Sequence, residues 1–284
     1  MKTYTTTNIR NIVLMGHGGS GKTTLAEAML FLTKGIDRFG NVNDGNTTCD
    51  FDSEEIKRKF SINTAIAPVE WKNHKLNILD TPGYFDFAGE VKCACRAAEI
   101  GLILLSAKNG VEVGVEKSWE YANEVNISRA FFISKLEEEN ADFFKVCEEL
   151  RDKFGNSVVP FQFPMIEDGQ LKGIVDVITK KAYLLQNKSV IEAEIPSQYV
   201  DKAEELREPL IEAVAETDEE LMEKFFEGEL FTDEEIVKGL IQGIEQDSIF
   251  PIFCGSSIMH VGMDTLMDAL VAYFPSPEKY KIHA

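Results

Sequence analysis

NIVLMGHGGSGKTTLAEAML, running from Asn11 to Leu30, is the stretch whose reading decides the fold. Ile12 to Met15 is a short apolar run that reads as a buried strand, and Gly16 ends it. From Thr23, apolar residues recur at Leu25, Met29 and Leu32, the spacing of a helical stripe. Between strand and helix, Gly16-His17-Gly18-Gly19-Ser20-Gly21-Lys22-Thr23 matches the phosphate-binding pattern G-x-x-x-x-G-K-[ST]. Glycines let the backbone wrap an anion with its N–H groups turned inward. Lys22 brings a positive charge to β- and γ-phosphates, and the Thr23 hydroxyl is a ligand for Mg²⁺. The following helix presents the positive end of its dipole to the same phosphates. The nucleotide-binding candidates here are His17, Gly18, Gly19, Ser20, Gly21, Lys22, Thr23 and Thr24, with His17 and Ser20 acting through their backbone.

A phosphate-bound metal needs a carboxylate as well. LNILD ends in Asp80 at the tip of an apolar strand, where an acidic residue holds Mg²⁺ directly or through water. Asp80-Thr81-Pro82-Gly83 follows the GTPase pattern D-x-x-G, in which the Gly83 N–H senses the γ-phosphate. Upstream, AIAPVEWKNHKLNILD reads as two antiparallel strands around a turn at residues 72–74, with Pro68 placing the first at a sheet edge. Gly35 to Phe60 has no clear period and reads as a long functional loop.

IGLILLSA, RAFFISK and SIFPIFCGSS are further strands. They alternate with helical patterns ending near Val125, over ADFFKVCEELRDKF (stripe Phe144, Cys147, Leu150, Phe154) and over VGMDTLMDALVAYF. Strands alternating with helices predict an α/β P-loop NTPase, a mainly parallel sheet flanked by helices. The middle breaks this rhythm. VVPFQFPMIEDGQLKGIVDVITKKAYLL reads as short strands turning at residues 167–169. Helices follow, with capping boxes at Thr217/Glu220 and Thr232/Glu235 and a kink or break at Pro209. The expected organisation is a nucleotide-binding domain of residues 1–157 and 248–284, with an inserted α+β subdomain of residues 158–247.

The chain has 284 residues, 44% of them hydrophobic, which is enough for a substantial core. No apolar run reaches the roughly 18 residues of a membrane-spanning helix. MKTYTTTNIR lacks the apolar core of a signal peptide, so a soluble, cytoplasmic, monomeric protein with no membrane association is expected. The five cysteines, Cys49, Cys93, Cys95, Cys147 and Cys254, are odd in number and irregular in spacing, and read as free thiols. The net charge of −19 argues against a DNA-binding surface. Between Phe161 and Phe250 there are 22 acidic and 8 basic residues, a net of −14. That face is either a docking surface for a basic partner or a solvated helical face.

GHGGSGKT, DTPGYFDFAGEV, SKLEEENADF, ETDEELMEKFFEGELFTDEEI and CGSS followed by GMDTLMDALVAYFPSP together resemble translational GTPases, and within them the nucleotide-binding domain of elongation factor G. The similarity runs from about Asn8 to Pro277 and includes that family's inserted subdomain. The resemblance implies a domain that binds GTP and GDP with Mg²⁺ and hydrolyses GTP on the ribosome. It implies that further domains follow PSPEKYKIHA, and that the acidic insertion meets the ribosomal stalk protein.

Three departures stand out. The family's base-reading N-K-x-D is Ser134-Lys135-Leu136-Glu137 here. Glu137 keeps the carboxylate for the guanine edge on a longer stem, Lys135 lays its stem across the ring, and Ser134 loses the amide that supports the base and braces the P-loop. Ser257 offers a backbone N–H to guanine O6, and Ser256 shapes that loop. The expectation is GTP over ATP, with weakened discrimination. Tyr84 stands where the family has a water-positioning His, so the catalytic set is Lys22, Gly83 and Tyr84, the last orienting water or merely packing. Arg58-Lys59-Phe60-Ser61-Ile62 replaces R-G-I-T-I, leaving Ser61 as metal ligand with Thr23 and Asp80. Residues 35–63 are then expected to order with a triphosphate. A nucleotide-binding docking module with little or no turnover, and a P-loop ATPase or kinase, are the competing readings.

Overall fold

The computed structural model describes residues 2–187 and 189–279; the ends of the expected division, residues 1 and 284, lie outside them. The first half of the chain forms β1 (Ile9–Gly16), α1 (Lys22–Leu32), α2 (Ser53–Arg58), β2 (Ala65–Trp71), β3 (His74–Asp80), α3 (Ala88–Cys95), β4 (Ile100–Ser106), α4 (Val113–Val125), β5 (Ser128–Ser134) and α5 (Phe143–Phe154). There follow β6 (Val158–Pro160), β7 (Gln162–Glu167), β8 (Gln170–Asp176), β9 (Lys181–Gln186), β10 (Ser189–Ala193), α6 (Ser197–Ala215), α7 (Glu219–Glu227), α8 (Asp233–Glu245), β11 (Phe250–Cys254) and α9 (Met263–Tyr273).

Seven strands form one sheet in the order β2-β3-β1-β4-β5-β11-β6. All pairings in it are parallel except the β2–β3 hairpin. The inner strands read as apolar runs because helices cover both faces. On one face α1, α8 and α9 pack over residues such as Ile12, Leu102 and Phe132. On the other, α3, α4 and α5 pack over Val13, Ile103 and Phe131. Pro68 lies on edge strand β2, whose Ala65, Ala67 and Val69 are buried while Ile66, Pro68 and Glu70 are exposed. A second, antiparallel sheet runs β10-β9-β8-β7. Val158–Pro160 belongs to the large sheet, beside β11, and the second sheet begins at Gln162.

Four local expectations are corrected. Residues 35–60 are not helix-free: α2 forms there because Asp52 and Glu55 make a reciprocal capping box. On α5 it is Phe143, not Phe144, that joins Val146, Cys147 and Leu150 in the core, while the Phe144 ring lies 4.6 Å from the Lys202 ammonium. The cap of α7 is Asp218, which accepts from Glu220 N, since the Thr217 hydroxyl turns back to Val214 O. Pro209 does not interrupt α6. It forfeits one backbone bond, and burial of Leu206, Leu210 and Val214 offsets the loss. The cysteines are free; four are buried and Cys93 is exposed.

Candidate functional site

Parallel pairing brings the carboxyl ends of β1 and β3 to one edge of the sheet. Leu14 is in register with Asp80, and the Thr81 hydroxyl donates to Leu14 O at 2.6 Å. Gly16 leaves β1 with φ +137°, and a Cβ there would lie 2.2 Å from Leu104 O, so no larger residue fits between β1 and β4. Gly21 then caps α1 in the left-handed region at φ +98°, which bends the turn back over the helix N-terminus.

The turn opens on a cavity of about 460 Å³, within the usual range for a small-molecule site. Of the residues anticipated from sequence, Gly18, Gly19, Gly21, Lys22, Thr23, Thr24, Ser61, Gly83, Tyr84 and Lys135 line it. Lys22 is only 6% exposed, and its ammonium donates to Gly16 O and His17 O, both at 3.0 Å. Burial pulls its pKa down to about 8, against the opposing pull of Asp80 and Asp50. Gly83 lies directly against it: a Cβ at Gly83 would come 2.6 Å from the ammonium and 2.7 Å from the Gly18 backbone.

The Thr23 hydroxyl is 3.2 Å from the Ser61 hydroxyl. Asp80 sits beneath them, 1% exposed, with neither carboxylate oxygen hydrogen-bonded. Burial pushes its pKa up to about 7, with the nearby Thr23 hydroxyl and Lys22 ammonium acting the other way. Two hydroxyls and a bare buried carboxylate are hard oxygen donors, the kind Mg²⁺ takes together with phosphate and water oxygens, and so the residues present fit that ion. Asp50 is a fourth oxygen group at this end and was missed in the sequence. It is 4% exposed, and burial raises its pKa.

Tyr84 lies across the turn. Its ring carbons would meet a Cβ on Gly18 at 3.3–3.5 Å, and its ring centroid is 4.7 Å from that of Phe60. His17 is not on the cavity wall. Its ring turns toward Glu112, at 3.7 Å, and Phe85, at 6.1 Å between centroids. Ser20 is buried, and its carbonyl accepts from the Ser134 hydroxyl at 2.7 Å. That bond corrects one expectation: the shorter side chain still braces the P-loop, and it also reaches Leu105 O at 3.1 Å.

At the other end of the cavity, Lys135 has φ +63° and pairs with Glu138 at 3.1 Å. Glu137, expected to read the base, is not among the residues lining the cavity; one of its carboxylate oxygens is buried and unbonded. Ser256 is fully buried, and its hydroxyl accepts from Met259 N at 3.1 Å; Ser257 is buried next to Ile258, which lines the cavity. The remaining wall falls in the stretch read as a functional loop, though none of its residues was singled out for the site. It comes from the loop after α1, through Phe39 and residues 40–43, and from Lys59 and Phe60. This loop is held from inside. The fully buried Glu27 accepts the Gly40 N–H at 3.0 Å and the Thr48 N–H. Glu55 accepts the N–H groups of Asp52, Ile62 and Asn63, each at 3.0 Å. Among the described residues no helix is long and apolar enough to cross a membrane.

Residues 7–276 match the family described as elongation factor Tu GTP binding domain. The chain is 39% identical over 272 residues to elongation factor G 2 of Vibrio cholerae, an alignment covering 94% of this chain and 39% of that protein. It is 35% identical over 273 residues to elongation factor G of Mycoplasma genitalium, covering 95% of this chain and 40% of the relative. Among solved structures, a protein of Thermus thermophilus superposes with a TM-score of 0.91 at 35% identity, over 96% of this chain and 41% of that one. The chain therefore spans about two fifths of the length of these relatives.

Proposed function

Because this chain belongs to the family of the elongation factor Tu GTP-binding domain, we propose that it is the G domain of an elongation factor G-like translation factor, binding GTP and GDP with Mg²⁺ and hydrolysing GTP in a ribosome-coupled switch. The observation that carries this reading is the buried Lys22 ammonium, held by the turn's own carbonyls on the wall of a cavity that also takes in Thr23, Ser61 and Gly83. The backbone of His17 to Thr24 cradles the phosphates, and Lys22 neutralises them. Thr23, Ser61 and Asp80 hold the Mg²⁺, which when bound neutralises charge on the phosphate oxygens. Gly83 contacts the γ-phosphate through its N–H, and Tyr84 orients water. At the base, Glu137 takes the guanine N1 and exocyclic donors, Lys135 covers the ring, and Ser134 braces the turn. Ser257 offers its N–H to guanine O6 from the loop that Ser256 shapes.

Residues 158–247 carry the insertion of this domain, with β6 and α8 joining it to the large sheet, and dock the ribosomal stalk protein. What supports this is their charge, net −14 between Phe161 and Phe250, together with a shallow hollow on α8. That hollow pairs apolar Val237 and Ile241 with Asp233, Glu234 and Lys238, and in the preceding segment Phe226 and Leu230 are highly exposed. The protein works as a monomer in the cytoplasm.

One observation favours a docking module with little turnover: the Tyr84 ring is packed on Gly18 and Phe60. Titration with labelled GDP and ADP, followed by single-turnover GTP hydrolysis with and without ribosomes, separates the readings. Tighter binding of ADP overturns the guanine assignment. Hydrolysis that stays absent on ribosomes, in the full-length protein, moves the function to docking.

A further inference from the structure

Three lysines line the cavity: Lys22, Lys59 and Lys135. Two of them are engaged. The Lys22 ammonium is bonded to two carbonyls of the P-loop, and the Lys135 ammonium pairs with Glu138 at 3.1 Å. Lys59 has no ion pair and no side-chain hydrogen bond among the described residues. Its neighbours behave differently. Lys57 and Arg58 fold back along α2 to the same carboxylate, Glu54, at 3.8 and 2.9 Å.

The backbone accounts for the difference. Lys59 is the C-cap of α2, with φ +61° and ψ +37°, a left-handed conformation that favours glycine. A long side chain kept in such a conformation at a cavity wall is a strained residue at a candidate site. The position is also well fixed. Lys59 N donates to Glu55 O at 2.7 Å. The next two residues reach the phosphate end of the cavity: the Phe60 ring is 4.7 Å from that of Tyr84, and the Ser61 hydroxyl is 3.2 Å from that of Thr23.

The charges at that end need a second cation. Asp50 and Asp80 are both buried there, and both act on Lys22. A magnesium-bound triphosphate adds net negative charge to two carboxylates that a single ammonium faces. Buried charges persist only when paired. In phosphoryl transfer the developing charge is spread over the terminal phosphoryl oxygens, where a positioned cation stabilises it. We propose that Lys59 is that cation, a catalytic residue contacting the terminal phosphate of the bound nucleotide from the loop opposite the P-loop. The inference rests on reading the cavity as a GTP site.

The test uses Lys59→Gly and Lys59→Arg in the same chain. Glycine suits the left-handed backbone, so the first variant removes the charge without adding strain. Affinities for GTPγS and GDP and the single-turnover rate of GTP hydrolysis are measured for all three proteins. Expected for Lys59→Gly is binding of GTPγS weakened about tenfold, as for loss of one charge-assisted contact, with GDP affinity unchanged and hydrolysis slowed. Lys59→Arg restores both. Wild-type affinity and rate in Lys59→Gly overturn the proposal, and so does equal weakening of GTPγS and GDP. Failure of the wild-type chain to bind either nucleotide overturns the site reading itself, and this proposal with it.

Discussion

Glu55→Ala tests whether the position of the proposed metal ligand Ser61 is set from within the protein. Glu55 is 1% exposed and accepts three backbone N–H groups at 3.0 Å, those of Asp52, Ile62 and Asn63. The first belongs to the α2 cap, and the other two immediately follow Ser61. Truncation leaves Ile62 N and Asn63 N without their acceptor. Each bond to a carboxylate contributes about 1.5–3 kcal/mol, so the local cost is roughly 3 kcal/mol or more. The cost falls on opening of this segment rather than on global unfolding, because both sheet faces keep their cores. At roughly 1.4 kcal/mol per tenfold change, amide exchange at Ile62 and Asn63 accelerates about 100-fold or more. Amide protection by β4 and β5 stays as in the wild type. Mg²⁺-dependent affinity for GTP falls in parallel, since Ser61 no longer faces Thr23. The measurement is residue-resolved hydrogen exchange of the nucleotide-free protein. Unchanged exchange at residues 62 and 63 refutes the anchoring role. Equal acceleration throughout the sheet refutes its local character.

Three further outcomes follow from the geometry around Lys22. Lys22→Ala abolishes nucleotide binding by calorimetry, whereas retained affinity removes the phosphate cradle from the site. Gly83→Ala places a Cβ 2.6 Å from the Lys22 ammonium, so the two must separate. GTPγS affinity and hydrolysis both drop by at least about tenfold, while the fold, checked by circular dichroism, is kept. Tyr84→Phe keeps the packing on Gly18 and Phe60 and removes only the phenol. Single-turnover hydrolysis slows about tenfold at unchanged GDP affinity, and an unaltered rate reduces Tyr84 to a packing residue.

The P-loop, the strand before it, the helix after it and Asp80 were readable because their constraints are local. A glycine, a lysine and a hydroxyl at fixed spacing specify one backbone path. The parallel sheet was readable because buried strands are unbroken apolar runs, as in Ile100–Ser106. What escaped was set by contacts distant in sequence. Ser134 reaches Ser20 across 114 residues, and no pattern around Ser134 announces that bond. Glu27 lies off the apolar stripe of the first helix and Glu55 lies in a stretch without period, yet both are buried because backbone N–H groups of a folded-over loop satisfy them. For α2 a signal was present: Asp52-Ser53-Glu54-Glu55 carries the same reciprocal cap that marked Thr232/Glu235. The low apolar content of residues 41–59 hid it. For Lys59 the signal was the departure itself: it stands where R-G-I-T-I has its glycine, and the backbone there keeps the left-handed φ of +61° that glycine favours.

These buried anchors bear on what a terminal phosphate has left to do. A loop held only by phosphate and metal derives its order from the ligand. This loop is tied at three places that need none. Glu27 holds Gly40 and Thr48, Phe39 packs 6.0 Å from Phe31 and 5.1 Å from His260, and Glu55 holds Ile62 and Asn63. A ligand shifts an equilibrium only by its difference in affinity for the two states. In residues 35–63 that difference can act chiefly through Lys59, Phe60 and Ser61, which lie between α2 and the Glu55-held amides. The response to GTP over GDP is therefore expected to be narrow. Exchange at Gly40, Thr48, Ile62 and Asn63 should match in the GDP and GTPγS complexes, with slowing in the GTPγS complex confined to residues 59–61. If the whole of residues 35–63 becomes protected only with GTPγS, the carboxylate anchors do not hold the loop and the ligand does.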